Sequence, residues 1–554
     1  MGLLDPVAPP YDPLEWAKKP FAEKSQMVCR SWALQGYGTP LGVYGLYAVK
    51  LVGYAAGWWF FCRFTPGMGD LGTISQWWLR PEAFQKAIVW SLLFEILGFG
   101  CGSGPLTGRY HPPLGGFLYF LRPGTTKLPY FPGSRVFGGT RRSWLDVALY
   151  AAALAFMVRA LMATQMHAVH LLPIGLLIPL LGLTDKTLFL AARAEHYWTT
   201  IMVFLLATEM GGWLGGAKAV MAALWFWAGF SKLNHHFPAV VCVMTSNSPF
   251  TRFEWLRKLM YRNYPDDLAP SQMAVIAHGG TILEFAVPIV LVAGSGGPVT
   301  TVGLALMIFL HAFITSNVPM GVPIEWNAMM VYGAFFLFWK HADASLLAIP
   351  PPTLAFLVIM LVFIPIYGNL VPSRISFLLA MRYYAGNWAY SVWLFKGESY
   401  KKLEKLTKSS AWILDQLGIL YDKATSVGIV GKVMGFRLMH LHGRALPGLL
   451  RKAVDTPEEY EWVDGELIAG LVLGWNFGEG HLHREQLLEA VQEQCGFEEG
   501  ELRCIFVESQ PLGQGTLEYR IADARSGQRD RGLVHVSELR NTHPWGAAPI
   551  LEAK

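Results

Sequence analysis

The stretch WFWAGFSKLNHHFP, residues 225–238, opens as an aromatic, uncharged run and closes on one ammonium and two imidazoles, Lys232, His235 and His236. Its first part suits lipid, because it completes a window from 216 to 237 that reaches the roughly 17–25 residues a helix needs to cross a bilayer. Working outward, windows of the same character fall at 42–62, 84–103, 144–163, 167–184, 199–214, 272–294, 298–317, 325–340 and 353–372. The whole composition agrees: the 554 residues are 53% hydrophobic, 14% aromatic and only 15% charged, with a mean hydropathy of +0.32. That is too apolar for an ordinary soluble enzyme. The expected fold class is an all-α polytopic membrane helical bundle, with about 8–10 transmembrane helices, followed by a small C-terminal α+β cytoplasmic domain.

Four regions are expected: an interfacial N-terminal segment (1–40), a transmembrane helical domain (41–374), aromatic and amphipathic membrane-associated helices (375–454) and a small α+β soluble domain (455–554). The N-terminus lacks the basic-then-apolar order of a signal peptide, and Pro6 stands where a myristoylation pattern needs Ser or Thr. Trp16, Phe21 and Trp32 among Lys18, Lys19, Lys24 and Arg30 suit a segment in the membrane interface, or equally a solvated arm. MRYYAGNWAYSVWLF (381–395) reads as an aromatic belt, and the 405–450 segment as amphipathic helices lying against the bilayer or the bundle. In the last domain, HREQLLEAVQEQCGF predicts a helix stopped by Gly496, and LRCIFVES, TLEYRIAD and GLVHVSEL predict strands, the last two joined at ARSGQRD.

Basic clusters at 133–142, 186–193 and 251–262 follow even-numbered windows, which places those connections and both termini in the cytoplasm. Cys29, Cys62, Cys101, Cys242, Cys495 and Cys504 form no CxxC pair or zinc spacing and read as structural and reduced. The sequence has no dinucleotide fingerprint, P-loop or internal repeat, and nothing in it supports nucleic-acid binding. His481 and His483 read as ordinary loop histidines.

An ionisable residue inside a spanning helix is costly and asks for a partner, a cavity or a job. Those that stand out are Arg159, His167, His170, Glu195, His196, Lys232, His278, Glu284 and His311. A helix running to Phe237 before Pro238 would put His235 and His236 on the face of Lys232. Burial and neighbouring cations lower a lysine pKa toward that of a useful base; the bland alternative is a lysine snorkelling from a helix end. His278 beside Gly279 and Gly280 offers a close approach for a flat ligand, or simply a packed core histidine. Glu284, six residues on, faces away from His278 and is free to pair elsewhere, and His311 alone in an apolar helix is more often structural. The pairs His167/His170 and His235/His236 lack a carboxylate–histidine pattern, so no metal is expected.

In order, TDKTLFLAARAEHYW (184–198), AGFSKLNHHF (228–237), AHGGTILEF (277–285) and FLHAFITSN (309–317) resemble the membrane domain of the vitamin K-dependent gamma-carboxylase family, the horizontally transferred transmembrane domain, over residues 184–340. The resemblance implies Lys232 as the catalytic base and His278 and His196 as the groups that bind or polarise quinone oxygens. Asn234, Glu195 and His311 would support them, with His235 and Glu284 also at the substrate. It implies a reduced naphthoquinone, menaquinol or similar, as cofactor. The carboxylase's large extracytoplasmic β-rich region has no counterpart here, so the implied chemistry is quinol oxygenation rather than carboxylation of a protein glutamate.

The expected function is therefore an integral-membrane, quinol-dependent oxygenase or epoxidase-like enzyme acting on a lipophilic substrate, in a bacterial inner membrane. The alternative is a non-catalytic lipid- or quinone-binding carrier or assembly subunit. Expected partners are lipid or quinone, with a protein partner or a second copy meeting the C-terminal domain.

Overall fold

The computed structural model of the chain describes residues 3–100, 116–190, 193–245, 253–271, 277–317, 324–376, 382, 385–474, 478–546 and 551–553. Cys101, the end of the 84–103 window, the head of the 272–294 window and parts of the 184–198, 251–262 and 381–395 segments lie outside them. Among the described residues, helices occupy every window read above. They are α2 (Leu41–Cys62), α3 (Pro81–Ile96), α4 (Trp144–Met162), α5 (Ala168–Thr184), α6 (Ala194–Leu206), α7 (Met210–Ser231), α9 (His278–Ala293), α10 (Gly297–Ser316), α11 (Ile324–Ala334) and α12 (Pro351–Leu370). The number α1 denotes Phe21–Gln35 and α8 denotes Phe237–Thr245. Three of these helices, α4, α10 and α12, are long and apolar enough to cross a membrane. Their outer faces are mostly hydrocarbon: Val158, Phe309 and Phe363 are all exposed, with Arg159 exposed in the last turn of α4, and a water-soluble surface avoids such large apolar patches.

Helix ends follow local chemistry. Helix α4 starts at a capping box in which Ser143 and Asp146 satisfy each other's backbone N–H groups, and Asp146 also takes the buried Lys127 Nζ at 2.8 Å. Buried lysines elsewhere tie off C-terminal carbonyls. Lys86 Nζ donates to Phe61 O (2.8 Å) and Leu161 O (2.9 Å), at the ends of α2 and α4, where a cation is favoured.

Helix α7 is the central element, in contact with α6 and α9. Gly216 lets Val203 of α6 lie where a Cβ would clash, at 2.6 Å. The expected continuation of α7 to Phe237 is corrected: it ends at Ser231, and Pro238 opens α8 rather than interrupting a helix. Asn234 makes this turn, its Oδ1 accepting the His236 (2.7 Å) and Phe237 (3.0 Å) N–H groups. His235 and His236 therefore lie in a turn, not on the lysine's helical face.

The C-terminal sheet is antiparallel. Its strands are β1 (Tyr390–Lys396), β2 (Tyr460–Asp464), β3 (Leu502–Val507), β4 (Thr516–Asp523), β5 (Gly527–His535) and β6 (Leu551–Ala553), in the order β2-β1-β3-β4-β5-β6. The strands predicted at LRCIFVES and TLEYRIAD are present, as is the helix Glu485–Cys495 with Gly496 in the left-handed region after it; GLVHVSEL is strand only to His535, its second half opening the helix Val536–Asn541, and β5 starts inside the predicted turn, at Gly527. Strand β1 corrects the aromatic-belt reading: Tyr390 to Phe395 are wholly buried between β2 and β3. The sheet thus draws on chain ahead of residue 455. Of the two surfaces expected for the 405–450 segment, bilayer or bundle, helix α13 (Lys423–Met439) takes protein, burying Gly431–Met439. Helix α1 packs on it, with the Trp32 and Phe436 rings 6.0 Å apart, so the Val28–Trp32 face of the N-terminal segment covers protein.

His481 and His483 are not ordinary loop histidines. His483 is buried, its Nδ1 2.7 Å from Ser391 Oγ. His481 lies 3.0 Å from both Glu479 and Glu508, and Arg484 holds Glu508 at 2.5 Å. Burial pulls the His481 pKa down, but the two carboxylates outweigh it and leave it above the ordinary 6.5. Burial pushes Glu508 up, but His481 and Arg484 outweigh it and hold it below the ordinary 4.5. The His481 contribution to stability is complete below pH 6.5 and lost as pH rises through its folded value; that of Glu508 is complete above pH 4.5 and lost as pH falls through its own. The melting-temperature advantage of the natural protein over His481→Gln is therefore expected to be largest near about pH 6 and to shrink toward about pH 9. An advantage that does not vary with pH contradicts the network.

Candidate functional site

The turn after α7 carries the candidate site. Lys232, the residue capping α7, is buried, and its Nζ forms an ion pair with Glu284 Oε1 of α9. The two helices approach this closely because Gly229 has no side chain: a Cβ there would lie 3.3 Å from Glu284 Cβ. The Lys232 ammonium also sits over the Phe237 ring, 5.5 Å from its centre. The amine is held out of water as expected, but its neighbour is a carboxylate rather than His278. On α9, Glu284 pairs with Lys232.

His278 lies on the other side of Phe237, ring centres 5.9 Å apart. It lines a cavity of about 460 Å³ together with Asn234, His235, Asn369, Asn387 and Gln510, with Phe230, Leu233 and Leu512 as apolar walls. The C-terminal domain supplies one wall of this cavity. Leu512 N–H donates to Asn369 O (2.8 Å), Asn387 and Gln510 exchange two hydrogen bonds (2.7 and 2.8 Å), and His236 Nε2 meets Gln510 Oε1 (2.8 Å). His236 points away from the cavity, stacked on His442 at 4.8 Å. Asn234, besides capping α8, donates to Ser231 O and to Ala385 O (3.4 Å), so its amide is committed to the turn.

The remaining predicted residues form a second buried group. His196 Nε2 accepts from Trp326 Nε1 (2.5 Å), while His311 lies between Asn327 Oδ1 (2.6 Å) and Trp225 Nε1 (3.0 Å). Neighbouring residues of α11 thus hold both histidines. Glu195 is buried in the first turn of α6. None of Glu195, His196 and His311 lines the 460 Å³ cavity, so the structure does not bring them to His278. His167 and His170 are used in a helix cap, with His170 Nδ1 accepting the His167 N–H at 3.2 Å.

Reading the sequence missed several buried charges beside this second group. Lys50 Nζ donates to Gly100 O (2.6 Å) and reaches Glu325 at 3.3 Å, and Glu325 is hydrogen-bonded to Glu95. Arg193 lies over the Trp326 ring at 5.3 Å. The signal was available: Glu95 in SLLFEILGFG is a lone carboxylate in an apolar run, the same kind of anomaly that marked Glu284.

Apolar outer faces around an interior of paired charges and hydrogen-bonded histidines define an integral membrane protein with a buried polar site. The chain belongs to a family of transmembrane proteins of unknown function (DUF3556), whose family model matches residues 1–552. No curated protein and no solved structure matches it, and nothing in these matches links it to the gamma-carboxylase family.

Proposed function

We propose that the chain is a polytopic bundle in a bacterial inner membrane, both termini cytoplasmic, whose His278 cavity binds a lipid-soluble quinol for oxygen-dependent oxidation. The residues present fit such a ligand. Imidazoles and side-chain amides offer donors and acceptors, apolar side chains flank them, and the volume lies in the roughly 300–1,000 Å³ range of small-molecule sites. A reduced naphthoquinone, when bound, supplies exchangeable phenolic protons and two electrons.

In this reading His278 and His235 meet the polar edge of the ligand, and the Asn234 turn fixes the cavity wall. The Lys232–Glu284 pair, one aromatic ring behind, is the proton store. Phe237 lies between the ion pair and His278, and the Gln510–Gln514 loop forms one wall of the cavity. The observation that carries the proposal is the buried Lys232–Glu284 pair next to a cavity lined by imidazole and amide groups.

The alternative, a quinone- or lipid-binding carrier without chemistry, is favoured by one feature: the Lys232 charge is already matched by Glu284 and screened from the cavity by Phe237. Oxygen uptake by the full chain in nanodiscs supplied with menaquinol separates the two. Uptake is expected, falling at least ~100-fold in the charge-free double variant Lys232→Met/Glu284→Leu while quinol binding persists. Binding without uptake in the natural protein selects the carrier. Unchanged uptake in the double variant removes Lys232 as the base.

A further inference from the structure

A second cavity, of about 300 Å³, lies where the ends of α5 and α12 meet the Gly480–His483 turn of the C-terminal domain. Two cations face it. Lys186 follows Asp185, but Asp185 is taken by Arg142 at 2.8 Å, so the Lys186 Nζ makes no hydrogen bond or ion pair among the described residues. Arg374, just beyond α12, is exposed, and its guanidinium likewise makes none among them.

The acidic groups nearby make their direct contacts elsewhere, although Glu479 also acts on Lys186 through space. Glu479 is held by His481 at 3.0 Å, and Glu508 by His481 and Arg484. Lys186 and Arg374 are left without a direct carboxylate contact among the described residues, with Ser373 beside them in the lining.

The apolar side of the cavity is continuous with the membrane-facing surface. Leu172, Leu176, Pro179 and Leu183 recur at spacings of four, three and four, one face of α5. The first two are 52% and 64% exposed, and the last two line the cavity. A hydrocarbon stripe therefore leads directly to a cationic cup.

We propose that this cavity binds a phosphate-bearing anion through Lys186 and Arg374, and that in the membrane the anion is the headgroup of an anionic phospholipid whose chains lie along the α5 stripe. The arrangement is a point of attachment between the C-terminal domain and the lipid surface, since His481 closes the same cavity that Lys186 opens. It is independent of the quinol proposal.

The test uses the full chain in nanodiscs of phosphatidylcholine with or without phosphatidylglycerol, the bound lipid being counted by native mass spectrometry after gentle release. The natural protein is expected to retain phosphatidylglycerol over phosphatidylcholine. Lys186→Ala/Arg374→Ala should lose that preference by about 30-fold, from roughly equal contributions of two cations near a lipid surface. The charge-preserving Lys186→Arg/Arg374→Lys should keep it, which separates loss of charge from loss of fold. Saturable inorganic phosphate binding in pure phosphatidylcholine discs, abolished by the alanine pair, keeps the anion site but assigns it to free phosphate and overturns the headgroup. Equal lipid preference in natural and alanine-substituted proteins overturns the site.

Discussion

Glu284→Ala is expected to destabilise the protein by about 3–5 kcal/mol, because it strands a buried ammonium without its carboxylate. Lys232 and Glu284 are both nearly inaccessible, with side chains 8% and 4% exposed, and Phe237 gives the cation only a weak second partner. Lys232→Met strands the carboxylate and should cost a similar amount. The double variant Lys232→Met/Glu284→Leu removes both charges and keeps the volume, so it should recover most of the loss, as replaced buried pairs commonly do. Thermal unfolding of the four proteins in one detergent checks this. A double variant as weak as the sum of the two singles would mean that the pair contributes no coupling.

The second large effect is expected at Arg437. Its Nε lies 2.5 Å from Asp464 Oδ2, its Nη2 is 3.3 Å from Asp464 Oδ1, and the same nitrogen binds Glu466; all three residues are buried. This group joins α13 to the end of β2, where Asp464 also caps the helix Gly465–Leu473 through the Glu466 N–H at 2.8 Å. Arg437→Met leaves two carboxylates buried together, so the loss should reach or exceed about 3–5 kcal/mol. It should show as a lowered melting temperature and rapid trypsin cleavage of the C-terminal domain. Arg437→Met/Asp464→Asn/Glu466→Gln should regain much of it, since asparagine still caps the helix. If Arg437→Met melts like the natural protein, the group is not a stabilising link.

The membrane helices were legible because hydropathy survives whatever the tertiary structure, and the windows at 144–163, 298–317 and 353–372 correspond to the three helices that are both long and apolar enough to span. What hydropathy does not mark is what an apolar surface packs against. Tyr390–Phe395 resembled an interface belt because a strand buried on both faces has no polar alternation. Helix α1 resembled a membrane-surface helix because a stripe of Val28 and Trp32 looks the same whether it covers lipid or α13. The window at 199–214 straddled the break at Ala207–Glu209 between α6 and α7, since averaging hides three irregular residues.

At the site the residues were legible one by one and their partners were not. Lys232 and Glu284 were each conspicuous as charges in apolar segments, yet their pairing depends on the α7–α9 approach at Gly229. His196 and His278 belong to separate neighbourhoods for the same kind of reason: Trp326 and Phe237, their respective neighbours, come from distant parts of the chain. The Gln510 loop that forms one wall of the cavity lies far along the sequence in a domain that reads as detached.

The most direct test of the central claim is to photo-crosslink an azido-naphthoquinone to the full chain in nanodiscs and map the labelled peptides. Label is expected on the Phe230–His235 turn and on His278, suppressed by excess menaquinol. Label spread over lipid-facing residues such as Phe309 and Phe363, with no protection by menaquinol, would contradict it.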